Sequence, residues 1–74
     1  MDRKPVASEV IASIGYQAET NTMDVEFRTG RIYRFFMITP SVHAALIGAR
    51  SIGRHFNAEI RNRFPSRQID DTDA

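Results

Sequence analysis

The sequence predicts an α+β fold in which a three-stranded antiparallel meander precedes two helices that pack on one sheet face, in the order β-β-β-α-α. Three observations favour this fold. Apolar and polar residues alternate over residues 10–16 and 23–27, a glycine-containing turn follows at residues 28–30, and apolar side chains recur every four residues from Ile52 to Phe64. The length of 74 residues predicts one small domain.

The first two strands are predicted from alternation alone. Over residues 8–16, one alternating set of side chains is apolar and should face the core: Val10, Ala12, Ile14 and Tyr16. Ile11 belongs to the other set and is expected on the opposite face. After a polar loop, a second strand follows in which apolar side chains alternate strictly with charged ones: Met23, Val25 and Phe27.

The turn around Gly30 decides the register of the third strand, which is expected over residues 31–38. A three-residue turn with a glycine bulge puts Tyr33 and Phe35 in the core and sets Asp24 opposite Arg34. A two-residue turn would instead bury Arg34 and turn both aromatic rings outward. We favour the bulged turn, because an unpaired buried guanidinium is costly.

Capping residues and apolar spacing predict both helices. Thr39 caps the first helix, which starts at Pro40 and runs to about Ala49. Ser51 caps the second, whose apolar side chains recur at four-residue steps until Pro65 ends it: Ile52, Phe56, Ile60 and Phe64. Residues 6–67 therefore form the expected domain. Residues 1–5 and the acidic residues 68–74 have no periodicity and are interpreted as flexible ends.

The helices cover one sheet face, so the other face is expected to be open and partly apolar. We expect this face to carry Ile11, Ile32, Arg34 and Phe36. Ile38 is a further candidate. Such a patch favours self-association as a homodimer or the binding of another protein. The alternative is that the end of the chain covers this face.

Positive charge is concentrated between residues 28 and 67, where the sequence has eight arginines and a single acid, Glu59. The second helix and the residues around it supply the candidate nucleic-acid-binding set: Arg50, Arg54, Asn57, Arg61, Arg63 and Arg67. Arginine suits phosphate because its guanidinium donates two parallel hydrogen bonds. The set predicts binding to RNA or another nucleic acid, and the competing interpretation is an ordinary solvated helix face.

Other functions find little support in the sequence. No cysteine is present, which fits a reducing cytoplasm, and no apolar run is long enough to cross a membrane. Ser51 and His55 are four residues apart, but no acid is placed to orient the histidine, and Ser51 is better explained as a cap. His43 and His55 lack companion ligands for a metal. We therefore expect no enzyme activity, cofactor, metal or small-molecule substrate.

The sequence contains the short motifs Ile14-Gly15-Tyr16, Tyr33-Arg34-Phe35, Ile38-Thr39-Pro40, the Ala49-Arg50-Ser51-Ile52-Gly53 turn and Phe56-Asn57. Together they resemble the KTSC domain, a small family that also occurs at the C-terminus of some lysyl-tRNA synthetases. Phe35 stands where the family has the second tyrosine of a Tyr-x-Tyr motif. The resemblance covers nearly the whole chain. It implies no known activity and no catalytic residues, and RNA binding is suggested by the synthetase context.

Overall fold

The computed structural model describes residues 1–70 and contains two helices and a five-stranded antiparallel sheet. The strands lie side by side in chain order, and each pairs with the next. They are β1 (Arg3–Pro5), β2 (Ile11–Gln17), β3 (Thr22–Phe27), β4 (Ile32–Phe35) and β5 (Ser66–Ile69). Helices α1 (Pro40–Ile47) and α2 (Ile52–Glu59) connect β4 to β5.

The α+β class is confirmed, but the prediction of three strands is wrong, because the sheet has five. Strand β1, which pairs with β2, lies in the first segment interpreted as a flexible end, and β5 extends into the other, because it pairs with β4 through residue 69. A three-stranded meander would leave the outer edges of β2 and β4 unpaired, and the added strands satisfy both. The rest of the acidic tail, residues 71–74, lies outside the described residues.

The β3–β4 hairpin has the predicted register. Val25 lies opposite Tyr33, and Asp24 lies opposite Arg34. The Gly30 N–H donates to the carbonyl of Phe27 at 2.9 Å, and Gly30 has a φ of 96°, a conformation that suits glycine. The bulged turn is confirmed, with Phe35 buried and Tyr33 partly buried against the core.

The expected position of Ile11 on the open sheet face is wrong. Ile11 is 0% exposed and belongs to the core, together with Ile14 three residues later. The pairing of β2 with β3 shifts between Ile11 and Ser13, which marks an irregularity at Ala12. A single extra residue in a strand reverses the face of every side chain beyond it.

The third strand ends at Phe35, three residues earlier than expected. Met37 has a φ of 64°, so the chain turns sharply after β4. This turn brings Ile38 into the core at 0% exposure, where its N–H donates to the Asn21 carbonyl at 2.8 Å. Ile38 is therefore not on the open face, and Phe36 is half-buried.

Both predicted helix caps are confirmed. The Thr39 hydroxyl accepts the Val42 N–H at 3.4 Å, and the Ser51 hydroxyl accepts the Arg54 N–H at 3.3 Å. The helices are shorter than expected, because α1 ends at Ile47 and α2 ends at Glu59. Turns rather than helix follow α2 over residues 60–63.

The core lies between the helices and one face of the sheet, which we call the inner face. Phe56 of α2 packs edge-on against Phe27 and Phe35, with ring centroids 5.5 and 5.4 Å apart. At the other end of the sheet, Tyr16 stacks on His43 at 4.2 Å. Its hydroxyl also donates to the Ile38 carbonyl at 2.7 Å. Aromatic contacts thus attach both helices to the inner face.

The opposite, outer face carries buried charges where an apolar patch was expected. The Asp24 carboxylate is 0% exposed and accepts two hydrogen bonds from the Arg34 guanidinium, at 2.7 and 2.9 Å. The Ser13 hydroxyl donates to Glu26 at 2.7 Å. Ile32 does lie on this face, but it is 3% exposed. The residues predicted as an interface therefore form no exposed apolar patch within the described part of the chain.

Gly15 allows the start of the chain to approach the outer face. A Cβ atom on Gly15 would lie 2.8 Å from the Asp2 carbonyl oxygen and 3.1 Å from the Arg3 side chain. Only glycine leaves room for this approach. Arg3 lies opposite Gly15 in the sheet register, and its Nε is 4.0 Å from the Glu26 carboxylate. The chain's own first residues therefore cover part of this face.

Candidate nucleic-acid interface

The predicted arginine set does not lie on one helix face, and this expectation is corrected. Of the six residues, α2 carries Arg54 and Asn57. At the end of the helix, the carbonyl of Phe56 accepts the N–H groups of both Ile60 and Arg61, each at 3.0 Å. The remaining residues lie before the Ser51 cap, in the turns after α2 and in β5: Arg50, Arg61, Arg63 and Arg67.

Arg50, Arg54 and Asn57 remain together in a groove at the start of α2, which we call the helix-start groove. Its other wall is formed by residues 7–10, and its volume is about 740 Å³. The Ser8 hydroxyl fixes that wall by accepting the N–H groups of Val10 and Ile11, each at 3.1 Å. The side chains of Arg50 and Arg54 form no ion pair with a carboxylate of residues 1–70.

A second opening, the aromatic cleft, lies at the other end of α2 beside the β3–β4 turn and has a volume of about 590 Å³. Four aromatic rings line it: Phe27, Tyr33, Phe35 and Phe56. Its polar lining includes Arg28, Arg31, Arg61, Asn62, Ser66 and Glu9. The two openings are adjacent, because Glu9 and Val10 line both of them.

The aromatic cleft exists because the sheet is wider than the helices. Ser66 and Gln68 of β5 lie opposite Phe35 and Tyr33, so they share the inner face. Both are exposed, which means that the helices do not cover this part of the sheet. The aromatic rings of β3 and β4 therefore border an open cleft on the side of β5, and Phe56 of α2 lines the same cleft.

The aromatic rings are held in fixed positions. Phe35 and Phe56 are almost completely buried, with 3% and 1% of their surface exposed, and form the floor. Tyr33 is only partly buried and packs edge-on against Phe27 at 5.9 Å. Its hydroxyl lies 3.5 Å from Oε1 of Gln68. Tyr33 thus presents ring surface and a hydroxyl at the cleft, whereas Phe35 presents almost no accessible surface.

The three arginines of the cleft have different surroundings. Arg28 donates to the Ser8 carbonyl at 3.0 and 3.1 Å and thereby holds the segment before β2 in place. Arg61 donates one hydrogen bond to Asn57 at 3.2 Å, which leaves most of its five N–H groups available. Arg31 is exposed, and its guanidinium bonds to no group within residues 1–70. Arg31 and Arg61 are therefore the cations open to a ligand.

Arg63 and Arg67 lie apart from both openings. Nε of Arg63 donates to the Ala58 carbonyl at 3.3 Å, which satisfies one of the last carbonyls of α2. Arg67 lies opposite Arg34 in the sheet and therefore belongs to the outer face. The structure separates these two arginines from the other four residues of the predicted set.

Arg28 and Arg31 complete the cleft and were absent from the predicted set. Both flank Gly30 in the turn that the sequence does reveal, and Phe27 precedes them on the inner face. The missing information was the distance across the core from this turn to the end of α2. Contacts between segments so far apart in the chain have no signature in local spacing.

The surroundings of the side chains that were considered for catalysis or metal binding fit structural roles. Ser51 uses its hydroxyl as a helix cap. Burial lowers the pKa of His43 below its usual 6.5, because the stacked imidazole loses solvent that would stabilise its charged form. Within residues 1–70, no three His, Asp or Glu side chains are grouped so that they could hold a metal ion. No helix in that range is long and apolar enough to cross a membrane.

Comparisons with known proteins agree on one family. A family model described as KTSC domain matches residues 7–64. A lysine–tRNA ligase of Nostoc punctiforme is 39% identical over 66 residues, which cover 89% of this chain. An uncharacterised protein of Stutzerimonas stutzeri is 42% identical over 57 residues, which cover 77% of this chain and 80% of that protein.

A solved structure extends the similarity to the fold. A KTSC domain protein from Yersinia pestis superposes with a TM-score of 0.89 and 32% sequence identity, covering 92% of this chain and 96% of that one. The ligase similarity is of a different kind, since the chain spans 12% of the length of the Nostoc ligase. The ligase's activity is a property of that longer protein.

Proposed function

The chain belongs to the KTSC domain family, and we propose that it binds RNA through the arginines at the two ends of α2, as a module without catalytic activity of its own. One observation carries the proposal: the side chains of Arg31, Arg50, Arg54 and Arg61 line two adjacent openings and form no ion pair with a carboxylate of residues 1–70. Glu9 is the acid that both openings share.

Phosphate is the anion that this arrangement suits. Each guanidinium offers a planar pair of donors to phosphate oxygens, and a backbone that passes both openings would meet four arginines in succession. Such contacts provide affinity without reading the sequence. A modest net charge of +1 does not oppose this binding, because the acids lie mainly in the first 27 residues and the last seven.

RNA is favoured over DNA by the relatives. Proteins named as lysine–tRNA ligases match 89% of this chain, and their name specifies an RNA substrate. Because this chain corresponds to 12% of the Nostoc ligase, the transfer of RNA binding to it is part of the proposal. The proposal therefore includes a preference for RNA over a DNA strand of the same sequence.

Fluorescence anisotropy with a labelled single-stranded RNA of about 12 nucleotides tests the proposal at low salt. Replacing Arg54 and Arg61 together by glutamine should weaken binding about tenfold or more, because two phosphate contacts are lost. The matched control replaces Arg63 and Arg67 by glutamine, which removes the same charge away from both openings. Absence of binding by the unmodified chain, or an equal loss in the two double variants, would contradict the proposal.

The alternative was a protein-interaction or homodimerisation module that uses the open sheet face. Its apolar surface is largely missing within residues 1–70, since Ile11 lies in the core, Ile32 is 3% exposed and Phe36 is half-buried. Large apolar side chains that are exposed within residues 1–70 lie elsewhere: Val10, Met37 and Ile47. Sedimentation at two protein concentrations tests association directly. We expect the same sedimentation coefficient at both.

A further inference from the structure

We infer that the aromatic cleft holds one unpaired nucleotide of the bound RNA, with the base against Tyr33 and the adjoining phosphate at Arg31 and Arg61. This inference rests on the proposed function and gives it a preference for single strands. It follows from four properties of the cleft, which are its size, its rings, its charge and its polar margin.

The volume of about 590 Å³ falls in the range of pockets that enclose small organic molecules. A mononucleotide is a ligand of this class, whereas a double helix is far too wide to enter. An intact duplex would therefore meet only the rim, where the arginines lie. A nucleotide released from stacking can enter the cleft itself.

The ring surface of the cleft suits a base. Tyr33 is only partly buried, whereas two other rings of the cleft, Phe35 and Phe56, are nearly inaccessible. Proteins recognise unpaired bases by stacking them on such side chains, and each stacked base typically contributes about 1–3 kcal/mol. The edge-on contact with Phe27, which itself packs against Phe56, limits the movement of Tyr33, so little side-chain freedom is lost on binding.

The charge of the cleft suits the phosphate next to that base. Arg31 and Arg61 both line the cleft and come from different segments, one from the β3–β4 turn and the other from the turn after α2. Arg28 is occupied by backbone carbonyls and keeps its structural role. Glu9 also lines the cleft, but three arginines line it as well, so the local charge still favours an anion.

Asn62 and Ser66 complete the cleft with neutral hydrogen-bonding groups. An amide and a hydroxyl can each donate and accept, so they match the mixed donors and acceptors on the edge of a base. An acidic peptide would use the arginines but would leave the aromatic surface and this neutral margin without partners. The combination therefore favours a nucleotide over a peptide carboxylate.

The test uses the full chain and a single-stranded RNA of about six nucleotides that carries the fluorescent base 2-aminopurine at its centre, compared with the same strand in a duplex. Entry of the base into the cleft should change the fluorescence of the single strand and leave that of the duplex unchanged. Tyr33→Leu should weaken single-strand binding about tenfold and abolish the fluorescence change. Tyr33→Phe keeps the ring and should retain both.

Circular dichroism melting of each variant separates loss of binding from loss of folding. If Tyr33→Leu does not fold, Arg31→Gln takes its place, because a change at an exposed turn residue should leave the fold intact. The base then enters the cleft if the unmodified chain changes the fluorescence of the RNA and Arg31→Gln does not. Arg67→Gln is the matched control with the same change in charge on the outer face.

The outcomes distinguish the inference from the proposed function. Salt-dependent RNA binding with no fluorescence change, or equal affinity for single strand and duplex, would overturn the nucleotide site and leave RNA binding intact. Competition by a glutamate-rich peptide as effective as that by unlabelled RNA would also overturn it. If no RNA binds at low salt, the proposed function fails and the nucleotide site fails with it.

Discussion

The two faces of the sheet use arginine in opposite ways. On the outer face, Arg34 is bound to a fully buried Asp24 through two short hydrogen bonds. On the side of the helices, Arg31 and Arg61 line the aromatic cleft without a carboxylate partner in residues 1–70. The same side chain therefore stabilises the fold on one face and is available to a ligand on the other. The difference shows that arginine content alone does not locate a binding surface, because the neighbouring acids determine whether each arginine is available to a ligand.

The largest expected effect is on the outer face. Asp24→Ala should reduce the free energy of unfolding by about 3 kcal/mol, because it removes a fully buried carboxylate and the two hydrogen bonds that it accepts from Arg34. For a domain of this size, that corresponds to a fall in melting temperature of roughly 15 °C. Thermal denaturation followed by circular dichroism measures it.

A double-mutant cycle with Arg34→Gln sharpens this test. The loss in the double variant should be smaller than the sum of the two single losses, because the two residues interact directly. Additive losses would mean that Asp24 stabilises the sheet without its partner. The contrast between the two faces would then lose its basis.

A smaller loss is expected at the next outer-face pair. Ser13 is 7% exposed and its hydroxyl donates to Glu26 at 2.7 Å, so Ser13→Ala removes one hydrogen bond and costs about 1 kcal/mol. The midpoint of urea denaturation should fall with no change in slope. An unchanged midpoint would show that water replaces the hydroxyl at Glu26.

The stacked His43 gives a weaker, pH-dependent effect. Burial lowers its pKa in the folded chain, so the unfolded chain binds a proton first as the pH falls. This contribution to stability is present above about pH 6.5 and is lost as the pH falls below that value. His43→Phe keeps a ring against Tyr16 and should reduce the loss of stability between about pH 7 and pH 5. An unchanged pH profile would contradict this assignment.

The smallest effect on stability is expected at the cleft. Arg31→Gln and Arg61→Gln should each change the free energy of unfolding by less than about 0.5 kcal/mol, since neither guanidinium is bound to a carboxylate within the described residues. Urea denaturation measures the free energy of unfolding of both variants, with Asp24→Ala measured in parallel for comparison. A loss as large as that of Asp24→Ala would make these arginines structural and would remove the contrast between the faces.

Local patterns predicted the hairpin and the caps because each depends on a few neighbouring residues. Gly30 fixes the register of Val25 and Tyr33, and Ser51 precedes its helix by one residue. The edge strands escaped prediction because β1 and β5 are held by pairing with β2 and β4, and short segments of this kind need no apolar alternation. Their pairing is a property of the assembled sheet.

The site was predicted only in part for a related reason. Apolar spacing continues to Phe64, although the helix ends at Glu59, because Phe64 still packs against the core from outside the helix. The four-residue spacing therefore placed Arg61 and Arg63 on a helix that does not reach them. The irregularity in β2 similarly depends on pairing with β3, so alternation placed Ile11 on the wrong face.

The salt dependence of RNA binding by the unmodified chain tests the central claim most directly. With four arginines contacting phosphates of a single strand, a plot of the logarithm of the association constant against the logarithm of salt concentration should have a slope of about −3. Arg31→Gln combined with Arg61→Gln should bring that slope to about −1.5. Binding that does not depend on salt, or a slope that both substitutions leave unchanged, would contradict the account.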